Sequence, residues 1–356
     1  MVKLNPNPQK ILLIKLRSMG DTVLLTSMIE ILHRRFPSAQ IDVVVSTPWN
    51  SLLEEDPRVH KVWPYTRFKQ VPSRAKAIAQ LGFKLRKEKY SWVLNFHASP
   101  SSATLALATG CKMRSIHFHG HKDKNKYSTV TIEGKGIVKP AIERDADTLR
   151  ALGLEFTPPE IKIQISDQTK SLVEKKFESL DIKEKWIGLG IGASRPTKQW
   201  PLQYYKEVTT EWLKNSTHGV FLFTGPGEEI LSKNFLKDFD KSSQIQHFHN
   251  QNLREISYLL SKTALYIGND SGLKHLAIAS GTRTLTLMGP EDPYEWHPYS
   301  KENHPYLYIE NLNCRKDHLE GMPPWCALHD CKFEKHRCMT EITPGQVIEK
   351  MKGLIL

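Results

Sequence analysis

Two kinds of apolar run alternate along the chain. Residues 11–16, 41–45 and 92–96 are short stretches dominated by β-branched and aliphatic side chains, the pattern of strands covered on both faces. Residues 22–36 instead carry Val23, Leu24, Met28, Ile31 and Leu32 at helical spacing, which predicts a helix ended by the turn at Pro37 and Ser38. Strands that alternate with helices predict parallel βαβ units and a doubly wound sheet.

The alternation breaks at "TPPEIKIQIS", an extended, proline-bounded stretch followed by a Lys- and Glu-rich helical pattern over 167–180. Beyond it the alternation restarts, with strands expected at 186–191, 220–224, 264–267 and 284–288, and a helix after Trp200 in "PLQYYKEVTTEWLK". The expected fold is therefore α/β with two Rossmann-like domains, residues 1–160 and 161–340, facing each other across a cleft that holds the ligand beyond the carboxyl ends of the strands. Residues 341–356 are expected to form a C-terminal helix that packs back on the first domain.

A length of 356 residues suits two domains with separate cores. The charge changes the picture more: 50 Lys and Arg against 38 Asp and Glu leave +12, which favours anionic partners without choosing among nucleic acid, phosphorylated metabolites and an acidic membrane. Much of the excess lies in residues 67–89, where only Glu88 opposes eight cations. The first residues lack the apolar core of an export signal, and no run has the length of a membrane span, so a cytoplasmic, at most peripherally membrane-bound protein is expected. Five cysteines would then be reduced, and Cys314, Cys326, Cys331 and Cys338, separated by eleven, four and six residues, lack paired C-x-x-C spacing. No metal is therefore assigned to them. His117, His119 and His121 alternate in "HFHGHKDKNK", which reads as a loop facing an anionic substrate.

Four strand-to-helix turns carry the chemistry. "KLRSMGDTVLLTS" places Asp21 at the start of a helix, where a phosphate would otherwise be attracted, with the bland alternative that Asp21 is the helix N-cap. "GIGASRPTKQWP" presents Ser194, Arg195, Thr197 and Lys198, two hydroxyls and two cations suited to a diphosphate, ahead of a helix that opens at Pro201. "FTGPGEE" sets Glu228 and Glu229 just past a strand, in reach of ribose hydroxyls or merely complementing a helix dipole. "LYIGNDSGLKHLAIASG" puts Ser271 and Gly272 at a helix start with free amides, His275 one turn on, and Asp270 ahead of them as a possible cap. No G-x-G-x-x-G fingerprint opens either half, which disfavours a nicotinamide-linked oxidoreductase.

Taken together, "LRSMGDTVLLTSMIEILHRRFPSAQIDVVV", "GASRPTKQWP", "FTGPGEE", "IGNDSGLKHLAIASGTRTLTLMGP" and "CMTEITPGQV", in this order and spacing, resemble the heptosyltransferases of glycosyltransferase family nine. The resemblance implies a GT-B fold and an inverting, metal- and cofactor-independent transfer of heptose from ADP-heptose to the lipopolysaccharide core on lipid A, at the anionic inner leaflet and with no nucleic-acid partner. By the same resemblance Asp21 is the general base and Lys198 the cation beside the donor phosphates. Glu228 or Glu229 lies near the ribose, Asp270, Ser271, Gly272 and His275 form the donor-binding helix start, and Met288 and Gly289 border the adenine. A carboxylate that takes the acceptor proton, opposed by amides and cations around the leaving diphosphate, is what such a displacement requires. Two other readings remain open: a related glycosyltransferase with another nucleotide sugar or a protein acceptor, and a non-catalytic basic module for membranes or nucleic acid.

Overall fold

The computed structural model describes residues 7–97, 99–116, 127–132, 139–158, 160–178, 186–216, 218–239, 244–315, 326, 328–333 and 335–355. It divides into two compact units, residues 1–164 and 165–356.

The first unit runs β1 (Lys10–Lys15), α1 (Met19–Arg35), β2 (Gln40–Ser46), β3 (Lys61–Tyr65), α2 (Val71–Lys87), β4 (Trp92–Asn95), α3 (Pro100–Ala108), β5 (Arg114–Ile116) and α4 (Ala141–Arg150). Its five strands are all parallel, in the order β3-β2-β1-β4-β5. β1 is central and its residues from Ile11 to Lys15 are all buried, which is why that strand reads as an unbroken apolar run. Leu12, Ile14, Val44, Val93 and Leu105 fill one face of this sheet.

The second unit continues with α5 (Asp167–Lys176), β6 (Trp186–Gly190), α6 (Leu202–Asn215), β7 (Val220–Thr224), α7 (Glu229–Leu236), β8 (Ile245–His249), α8 (Leu253–Ser261), β9 (Thr263–Asn269), α9 (Gly272–Ala279), β10 (Thr284–Met288), α10 (Pro293–Trp296), β11 (Tyr306–Tyr308), α11 (Arg337–Thr340) and α12 (Pro344–Ile355). Its six strands are also parallel, in the order β11-β10-β9-β6-β7-β8, so β9 and β6 form the centre where the chain order reverses. Trp200 and Tyr205 pack with Leu189, Ile267 and Leu287 in its core. Val347 and Met351 of α12 join the same core, which accounts for the apolar face of that helix within its own unit.

Several elements differ from expectation. β3, β5, β8 and β11 are edge or near-edge strands, short and partly exposed, without the continuous apolar run that marks a central strand. The basic stretch 67–89 is mostly helix: α2 buries little beyond Gly82 and Leu85, and its charges mask the helical period. "TPPEIKIQIS" forms no strand among its described residues. α1 begins three residues before the expected start, because Ser18 caps it; Asp21 is therefore inside the first turn and is not the N-cap. The alternating histidines at 117, 119 and 121 lie outside the described residues.

Candidate active site

In the first unit, β1 ends on Lys15 and the chain turns through Ser18 into α1. Ser18 has φ 33°, a backbone conformation that costs about 1–3 kcal/mol for a residue with a side chain. In that position its hydroxyl accepts the Asp21 amide at 3.3 Å and donates to Asp21 Oδ2 at 2.5 Å. The other carboxylate oxygen, Oδ1, lies 3.5 Å from Lys15 Nζ, and the side chain keeps a partly exposed face. Lys15, only 5% exposed, is held on its far side by both oxygens of Asp145 from α4, at 2.7 and 2.8 Å. His97 follows the carboxyl end of β4, next to β1 in the sheet. Burial, reinforced by the Lys15 charge, pushes its imidazole down to about 4, so it is neutral at physiological pH.

In the second unit the expected donor residues assemble around the carboxyl ends of β6, β9 and β10. Asp270 follows β9 and is buried between two lysines: Lys198 Nζ at 2.5 Å from Oδ2 and Lys274 Nζ at 2.6 Å from Oδ1. Burial alone would raise this carboxyl; the two ammonium charges overcome it and hold Asp270 well below the usual carboxylate range. Asp270 is thus an anchor for cations, and the N-cap of α9 is Ser271, whose side chain makes no capping bond. The first amides of α9 have no intrahelical acceptor, so this helix start keeps donors for an anion. His275 is buried, with Nδ1 2.5 Å from the Tyr299 hydroxyl, and burial drives it well below its ordinary value.

Asn269 fixes the loop after β6. Its amide nitrogen donates to the carbonyls of Ile191 and Gly192 at 2.9 and 3.2 Å, and its oxygen accepts the Trp200 amide at 2.9 Å. Within that loop Ser194 is exposed, and Arg195 is ion-paired with Glu291. Thr197 is buried and bonded to the late segment: its amide and hydroxyl donate to the carbonyls of His329 and Leu328, and its own carbonyl faces His336 Nε2 at 2.9 Å. Met288 is buried at the end of β10. The Gly289 carbonyl accepts Arg315 Nη1 at 2.7 Å, and a Cβ at Gly289 would collide with Met339 Sδ, which ties the "MGP" turn to the "CM" dipeptide in this chain.

The two glutamates separate. Glu228 Oε2 accepts the Gly225 amide at 2.8 Å, and the carboxylate lies so close to Gly192 that a Cβ there would be 1.7 Å from Oε1. Burial raises its carboxyl, against the Gly225 bond that lowers it. Glu229 is exposed; its own and Gly227's amides hold it below the usual range. Glu228 therefore borders the Gly190–Gly192 turn and Glu229 does not.

All five cysteines are unpaired, and burial pushes the Cys338 thiol up to about 12. Among the described residues no group of three or more His, Cys, Asp or Glu side chains is arranged to hold a metal.

Lys15, His97, Asp145, Asn269, Lys274 and Glu291 were not singled out by motif. Two of them leave a trace in the sequence. Lys15 closes an otherwise apolar buried strand, and Asp145 shares helical spacing with the buried Ile142, Ala146 and Leu149.

Solved structures share this architecture from end to end. A glycosyltransferase of family 9 from Veillonella parvula superposes with a TM-score of 0.80, covering 98% of this chain and 97% of its own at 18% identity. The ADP-heptose lipopolysaccharide heptosyltransferase II of Escherichia coli gives 0.77, covering 97% and 98% at 23% identity. Two parallel Rossmann-like units of this kind constitute the GT-B fold. The family model for glycosyltransferase family 9 (heptosyltransferase) matches residues 78–321, and the chain belongs to that family. Among curated relatives, lipooligosaccharide heptosyltransferase 2 of Campylobacter jejuni is 25% identical over 95% of both chains, and lipopolysaccharide heptosyltransferase 2 of E. coli is 25% identical over 98% of this chain and 99% of its own.

Proposed function

We propose that the protein transfers heptose, with inversion, from ADP-heptose to the inner core of lipopolysaccharide. The family match over 244 residues, from 78 to 321, supports this reading, and the curated relatives named above are called heptosyltransferases of lipooligosaccharide or lipopolysaccharide. In the reaction an acceptor hydroxyl attacks the anomeric carbon and a new C–O bond forms. The bond to the β-phosphate oxygen breaks, ADP leaves with its electron pair, and the hydroxyl proton passes to Asp21. The partly exposed carboxylate in the first turn of α1 supports that role.

The donor falls to the second unit. Lys198, Arg195, Ser194 and the α9 start with Ser271 and Gly272 suit the diphosphate, which gains negative charge as the bond breaks. Glu228, beside Gly192, suits the ribose better than the outward Glu229. Met288 and Gly289 line the edge assigned to adenine. Asp270 acts by orienting Lys198, and His275 supports the helix from inside.

Attachment to an anionic membrane surface is supported by α2, whose Phe83 is 62% exposed beneath the Lys87 ammonium, 4.4 Å from the ring centroid. No helix among the described residues is long and apolar enough to cross a membrane.

The test is turnover of ADP-heptose by the purified protein against a panel of truncated core acceptors, with the product linkage determined. Asp21→Asn should lower turnover by about 10²-fold or more while ADP affinity measured by calorimetry stays near wild type. Equal loss of affinity and turnover would remove Asp21 from the base role.

A further inference from the structure

Lys15 and Asp145 form an ion pair closed off from solvent, between the end of β1 and the middle of α4, 130 positions apart in the chain. Such a pair adds little stability over well-packed apolar side chains of the same volume, because both charges are stripped of water. Its location is more informative than its strength. The lysine has the bidentate Asp145 on one side and Asp21 Oδ1 at 3.5 Å on the other, while Ser18 binds the opposite oxygen of Asp21 at 2.5 Å. The Asp21 carboxylate is therefore fixed at both oxygens, and the cation that fixes it is itself shared with a second, buried anion.

We propose that Lys15 and Asp145 are positioning residues for the base: Lys15 orients the Asp21 carboxylate, and Asp145 holds the lysine in place and shares its charge. The inference rests on the reading of Asp21 as the base. An unshared ammonium at that distance would stabilise the carboxylate and weaken it as a proton acceptor; removing the ammonium would leave only the Ser18 bond to orient it. Among the described residues, the other charged or titratable groups acting on the cluster are Arg17, Arg67, Arg144 and His97.

The experiment is the pH dependence of kcat with ADP-heptose and a truncated lipopolysaccharide acceptor. In Asp145→Asn the lysine is released from its anion, so the acid limb should move to lower pH by about half a unit or more, with a several-fold fall in the plateau. In the double variant Lys15→Met, Asp145→Leu the cation is gone, so the limb should move to higher pH and the plateau should fall as well. ADP affinity should be unchanged in both. The double variant replaces the pair by apolar groups of similar size and decides the matter if Asp145→Asn does not fold. A pair that only tied α4 to the sheet would leave the limb where it is in wild type, and that result in the folded variants overturns the proposal. The same pair of measurements in a His97→Gln background should keep both displacements; their disappearance would assign the limb to His97 and overturn it equally. Asp21→Asn separates the two levels: retained turnover defeats the base itself, whereas lost turnover with unmoved limbs defeats only the roles of Lys15 and Asp145.

Discussion

Single side chains in this protein acquire their meaning from what stands behind them. Glu228 and Glu229 are chemically identical and adjacent, and sequence reading left them interchangeable, yet Glu228 rests against Gly192 while Glu229 points to solvent. Gly192→Ala should consequently reduce ADP affinity by about tenfold or more, since a methyl group 1.7 Å from Glu228 Oε1 must displace that carboxylate. Glu229→Gln should stay within about twofold of wild type by the same calorimetric titration. Unchanged affinity in Gly192→Ala would take Glu228 out of the donor site. Asp270 makes the same point: its place before a helix suggests a cap, whereas two ammonium groups reach it from a distant loop and from the next turn. The cap was open to Ser271 instead, and this is invisible without the contacts.

At the level of elements, the central strands were the legible ones. β1, β2, β4, β6, β7, β9 and β10 are covered on both faces and so carry runs of apolar residues that cannot be mistaken for loops. Edge strands and α2 were not legible, because an element that buries a narrow face shows a weak period. α2 nevertheless sets exposed cationic and aromatic side chains side by side, with Lys87 over the exposed Phe83 ring. Replacing Phe83 by Ser with Lys84 and Lys87 by Glu should weaken binding to phosphatidylglycerol vesicles by at least about tenfold, each basic residue contributing about 1 kcal/mol at such a surface. Turnover with a short soluble acceptor should persist, since these side chains are exposed and support no core. Vesicle binding equal to wild type in a sedimentation assay would mean that another surface holds the membrane.

For the molecule as a whole, several buried or half-buried histidines are held uncharged, and this shapes its response to acid. Burial lowers His297 to about 3 and His304 to about 4, and His97 in the other unit to about 4. Their unfolded counterparts bind protons first, near pH 6.5, so the stability they contribute is complete above that pH and is lost as the pH falls toward the folded values. The melting temperature should therefore begin to drop below about pH 6.5, ahead of the carboxylates, with His297 accounting for up to about 1.4 kcal/mol per pH unit. His297→Gln should flatten that slope in calorimetric scans between pH 7.5 and 5; an identical slope would show that His297 is solvated when folded. The sequence by itself determined the two-unit α/β plan, the family and the strand-to-helix turns, because buried parallel strands and helix starts impose local patterns of residue type. Only the tertiary structure decided which glutamate borders the glycine turn, that Asp270 gathers two lysines, and that Lys15 joins Asp145 beside Asp21. Apart from the Asp270–Lys274 pair one helical turn apart, those are long-range contacts, set by which elements become neighbours, and no local pattern along the chain encodes them.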